Sequence, residues 1–86
     1  MGDRTLLHIN KLPMFTWWLS SIGYEIQQTK DVHEVLRAKK DDDLILIFRK
    51  LSTKEHLTIQ QKDTGLVKQF IRQQVEIKRK WRENND

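Results

Sequence analysis

The spacing of hydrophobic and polar positions changes period twice along this chain. In residues 10–23, NKLPMFTWWLSSIG, Phe15, Trp18, Leu19 and Ile22 fall on one stripe at helical spacing, and Met14 and Trp17 widen it. Both ends of that helix are written in: Asn10 is a candidate N-cap, Pro13 sits in a first turn where its missing N–H costs nothing, and Gly23 stands at C′. From Tyr24 to Gln60 the period drops to two. YEIQQT, VHEVLRAKK, LILIFRKLS and HLTIQ are rich in β-branched and aliphatic residues, and the breaks between them contain TKD, DDD and TKE. Near Asp63 or Thr64, either of which can cap a helix, the helical period returns with Leu66, Val67, Phe70 and Ile71. It thins to Val75, Ile77 and Trp81 while cations crowd in, so the last turns are expected to project from the body.

This order predicts an α+β fold in a single unit, residues 1–86: an antiparallel β-meander of three to four strands flanked by an N-terminal and a C-terminal helix. Residues 1–9 read as an arm or an added edge strand, and residues 83–86 as a frayed tail. Hairpin counting across loops of about four residues sets Ile26 opposite Val35, Val35 opposite Phe48, Arg37 opposite Leu46 and Phe48 opposite Leu57. One face then collects Tyr24, Ile26, Val35, Leu44, Leu46, Phe48, Leu57 and Ile59. The other has an apolar centre in Leu36, Ala38, Ile45 and Ile47. LILIF is apolar on both sides, so something has to cover each face. A one-residue change in any loop exchanges the faces.

Composition narrows the function classes. Among 86 residues, 37% are hydrophobic and 33% charged, which describes a soluble domain with a thin core. There is no cysteine, which excludes disulfides and thiolate chemistry. No apolar run reaches the roughly 18 residues of a membrane span and MGDRTLL lacks the core of a signal peptide, so a cytoplasmic protein with no membrane partner is expected. The net charge of +4 is uneven: residues 1–61 hold nine Lys/Arg against eight Asp/Glu, and residues 62–86 hold seven against four.

Candidate chemistry is sparse. No phosphate loop, nucleophile elbow or HExxH motif is present, and the three glycines are too far apart to cradle a phosphate. His8, His33 and His56 share no metal-ligand spacing, and Asp41, Asp42 and Asp43 read as a turn tip because consecutive aspartates cannot all point inward at one ion. No enzyme activity, metal, cofactor or small-molecule substrate is expected.

Two binding readings remain. Lys68, Arg72, Lys78, Arg79, Lys80 and Arg82 along the last helix, with Trp81 among them, suit nucleic acid: the cations neutralise phosphates and a tryptophan stacks on a base. Alternatively, the chain has more apolar surface than it can bury, which suits a protein-interaction module, a small regulator or inhibitor, or a homodimer. Its partner residues would be Trp17 or Trp18, since adjacent residues on a helix point about 100° apart, together with Leu36, Ile45 and Ile47 on the second sheet face. Helix, antiparallel strands, helix is also the order of the double-stranded RNA-binding domain. Here, however, Asp63, Thr64 and Gly65 stand where that domain has paired lysines, and neither VLRAKK nor ILIFRK supplies the aromatic run of an RRM.

Overall fold

The computed structural model describes residues 7–49 and 56–85. The turn expected over residues 51–54, the first six residues of the arm and Asp86 lie outside them. The described residues form a five-stranded antiparallel sheet and three α-helices: β1 (Leu7–His8), α1 (Leu12–Ser21), β2 (Glu25–Gln27), β3 (Glu34–Lys40), β4 (Asp43–Arg49), β5 (His56–Ile59), α2 (Thr64–Arg72) and α3 (Gln74–Asn85). Strand order is β1-β5-β4-β3-β2. The meander of four strands is therefore joined by a fifth from the arm, where Leu7 pairs with Leu57 and His8 with His56. Since every neighbouring pair is antiparallel, β1 and β2 run parallel at opposite edges, and α1 spans the sheet between them.

Helix α1 ends as its glycine demands. The Tyr24 N–H donates to the Leu19 carbonyl at 2.9 Å and the Gly23 N–H to that of Ser20 at 3.2 Å, the paired bonds of a Schellman cap. Gly23 takes φ 105°, a region closed to most side chains. The N-terminal expectation fails. A 3₁₀ turn, Ile9–Lys11, precedes the helix, and the His8 Nδ1 caps that turn by accepting from the Asn10 N–H at 3.1 Å, so Asn10 is not the side-chain cap.

The C-terminal segment is two helices rather than one. They meet at Gln73, whose φ of −103° and ψ of 7° leave the helical range. The bend lets Val67 and Phe70 of α2 face the sheet while α3 packs on α1. Ile77 is buried and Trp81 half-buried against the core, so α3 lies on the body instead of projecting, and its helical conformation runs on through residue 85.

All three helices contribute to one apolar cluster. Met14, Phe15, Trp18 and Leu19 of α1 meet Phe70 of α2, with Phe15 edge-on to Phe70 at 5.0 Å and Trp18 tilted against Phe70 at 5.5 Å between ring centroids. The same cluster contains Leu36, Ala38, Ile45, Ile47 and Leu57 from one sheet face.

Two register shifts decide which face that is. A β-bulge between Glu34 and Leu36 pairs Glu34 with Phe48 and turns both Val35 and Leu36 toward the helices, so Val35 does not oppose Phe48. Arg37 pairs with Leu46 as expected. Across β4 and β5, Phe48 pairs with Thr58 and Arg49 with Leu57, one residue away from the expected register, which sends Leu57 and Ile59 to the core side. The longer connection after β2 places Ile26 opposite Ala38 rather than Val35.

Candidate nucleic-acid interface and open sheet face

On α2 and α3, burial of Val67, Phe70 and Ile77 turns the basic residues outward by helical geometry. Lys68, Arg72, Lys78, Arg79, Lys80 and Arg82 are all exposed. Val75, 83% exposed, is shared by two shallow hollows, one walled by Arg72, Gln73, Glu76 and Arg79 and the other by Lys78, Arg79, Arg82 and Glu83. Glu76 lies 3.5 Å from Arg79 and 3.9 Å from Lys80, both pairs well exposed and weak. Lys68, Arg72, Lys78 and Arg82 have no acidic partner among the described residues. The structure thus gathers Arg72, Lys78, Arg79 and Arg82 around Val75, while Lys68 is exposed farther back on α2 and Lys80 lines the hollow between α1 and α3. Trp81, one turn beyond Ile77, is half-buried against the core.

The partner candidates are placed differently. Leu36, Ile45, Ile47 and Trp18 are 4%, 1%, 0% and 4% exposed, all in the helix-covered core, so none offers a surface. Trp17 is half-buried and lines a hollow of about 400 Å³ between α1 and α3, beside Ile22, Glu76, Ile77 and Lys80.

The face left open by the helices is the other one. On the central strand β4 it carries Leu44, Leu46 and Phe48, each half-buried and none part of the core cluster. Among the described residues, no helix lies over it. On the neighbouring strands this face carries Glu34, Arg37, Lys39 and Glu25 on one side and Thr58 and His56 on the other. In a regular strand, residues three apart point to opposite faces; the bulge at Val35 is what brings Glu34 and Arg37 together. Arg37 donates from Nε to Glu34 Oε2 at 2.8 Å and from Nη2 to Oε1 at 2.9 Å, and the Lys30 N–H adds a third bond at 3.2 Å. The guanidinium holds the Glu34 carboxyl below the usual carboxylate range despite its burial, and the carboxylate in turn raises the Arg37 pKa.

A second polar cluster ties the β3–β4 turn to the start of α2. The Tyr24 hydroxyl donates to Asp43 Oδ2 at 2.7 Å, and Lys62 Nζ donates to the Leu44 carbonyl at 2.7 Å, to Asp63 Oδ1 at 3.0 Å and to Asp43 Oδ1 at 3.2 Å. Burial, then the bond to Asp43, pushes the Tyr24 phenol up to about 12. The bond from Tyr24 and then that from Lys62 hold Asp43 below its ordinary value. Burial works against the Lys62 ammonium, but its bonds to Asp63 and Asp43 outweigh that and raise its pKa. Each group is satisfied by its neighbours, which makes the cluster a fastening of the fold. Asp41 forms the turn itself at φ 52°, a conformation aspartate tolerates.

Among the described residues, no group of three or more His, Asp or Glu side chains could hold a metal ion, and no helix is long and apolar enough to cross a membrane. No protein-family model matches the chain, and neither a curated protein nor a solved structure matches it significantly.

Proposed function

We propose that this is a small, non-enzymatic nucleic-acid-binding protein that grips backbone phosphates with the outer side of α2 and α3. The observation that carries this reading is the ridge of exposed cations around Val75, formed by Arg72, Lys78, Arg79 and Arg82, three of them without an acidic partner among the described residues. Such a ridge attracts phosphate by releasing condensed counterions, and phosphate contacts carry no sequence information. With Trp81 half-buried against the core, the interaction is mainly electrostatic.

Binding of a labelled duplex or single-stranded oligonucleotide should therefore weaken steeply between low and moderate salt. The combined substitution Lys78→Ala, Arg79→Ala and Arg82→Ala should flatten the plot of log affinity against log salt, by about 0.9 per lost phosphate contact on duplex DNA. Salt-independent binding, or full affinity in that variant, would end the proposal. The open sheet face supports a second reading, contact with a protein. It adds to the first, since the two surfaces lie on opposite sides of the molecule.

A further inference from the structure

We infer that the open face of the sheet is a homodimer interface, in which the Leu44, Leu46 and Phe48 strip of one copy packs on the same strip of a second, related by a two-fold axis. Two features select a second copy as the occupant. First, the face is electrically balanced although the chain carries a net charge of +4. Glu34 is bonded to Arg37, and Glu25 stands directly opposite Lys39 on the adjacent strand, so the described carboxylates and cations of the face cancel in pairs. A face without net charge has no pull on phosphate. An isologous contact places each patch against its own copy, so a patch of one sign would repel itself and a balanced one does not.

Second, the shape and size suit sheet-on-sheet packing. Five strands spaced about 4.8 Å apart, the longest seven residues at about 3.3 Å each, present roughly 20 by 20 Å. Covered in both copies, with side-chain relief included, that approaches the ~1,000 Å² at which specific interfaces begin. The apolar strip runs along the central strand, where two twisted sheets packed at about 30° touch first. The Glu25–Lys39 pair reaches the edge strand β2, toward the rim where interfaces keep their polar groups, while the mutually bonded Glu34 and Arg37 lie beside the strip, across from Phe48 and Leu46. Arg37 already lies down on the face, its side chain 14% exposed and held by Glu34, so little side-chain freedom is left to lose on association.

The test is sedimentation equilibrium of the full chain across the micromolar range, with circular dichroism as the check on folding. The wild type should sediment at twice the chain mass. Leu46→Glu, which removes no member of the core cluster, should give a folded monomer. Thr58→Arg, at an exposed position beside Phe48, should weaken the dimer at least tenfold; it decides the matter if Leu46→Glu proves unstable. A wild-type chain that stays monomeric, or a dimer that survives Thr58→Arg and a folded Leu46→Glu, overturns the inference. A dimer lost only on Val75→Glu gives the contact to the α3 ridge and overturns it too. So does a monomer whose oligonucleotide binding Thr58→Arg strengthens, which would give the face to nucleic acid.

Discussion

Strand β4 shows two environments along seven residues. Ile45 and Ile47 point to the helices and are 1% and 0% exposed, whereas Leu44, Leu46 and Phe48 point the other way and stay half-buried. The side chains are chemically alike on both sides. What separates them is that α1, α2 and α3 all lie on one side, so that one face is a core and the other a surface whose central strand is apolar between polar neighbours. Apolar content along a strand therefore does not say which side is covered; topology does.

Truncations should widen that contrast. Phe70→Ala removes the ring that joins α1 and α2, and Ile47→Ala opens a cavity beneath them; each should cost about 2–5 kcal/mol in chemical denaturation. Leu46→Ala on the open side should cost about 1 kcal/mol, because part of its surface stays in water in the monomer and no tight core cavity is left behind. Equal losses on both sides would mean that the open face is packed as tightly as the core.

Acid should loosen both polar fastenings, the Glu34–Arg37 pair on the open face and the Asp43 cluster that holds the β3–β4 turn to the start of α2. The folded-state pKa values of Glu34 and Asp43 are lowered, so the stability they supply is present above their ordinary values of 4.5 and 3.8 and is lost as pH falls through their lower folded values. Glu34→Gln should flatten this acid limb, as read from melting temperatures between neutral pH and roughly pH 3. Tyr24 works in the opposite sense. Its pKa is raised to about 12, so its contribution holds below the unfolded value of 10.0 and fades as pH climbs through 12. Tyr24→Phe should remove that alkaline limb.

Gly23→Ala should cost about 1–2 kcal/mol, since an added Cβ at φ 105° is strained and would also meet Lys40 Cε at 3.3 Å. This acts at the end of α1 and should leave dimerisation untouched. The smallest effect belongs to Glu76→Gln. Losing its exposed pairs with Arg79 and Lys80 should change stability by less than about 0.5 kcal/mol. It should nevertheless tighten oligonucleotide binding by unmasking two cations, and unchanged binding would count against the ridge.

Much of this molecule follows from nearest neighbours. The α1 stripe, its Schellman glycine, the four meander strands, the aspartate turn and the outward cations of α2 and α3 are local matters: period, φ at one residue, charge on one helix side. Pairing that crosses the chain was not legible in the same way. The bulge at Val35 and the single-residue shift between β4 and β5 each exchange faces, and they moved Leu57 and Ile59 into the core while turning Glu34 toward Arg37. Leu36, Ile45 and Ile47, apolar enough for either face, became core because the helices settled on their side. The bend at Gln73 likewise laid Trp81 against the body. Sequence alone determined that β4 has two apolar sides and that the C-terminal helices carry the positive charge. Which side the helices cover was decided only in three dimensions, because a sheet's side-chain period of two makes burial depend on register to the single residue, and register is set by loops and bulges that bury nothing themselves.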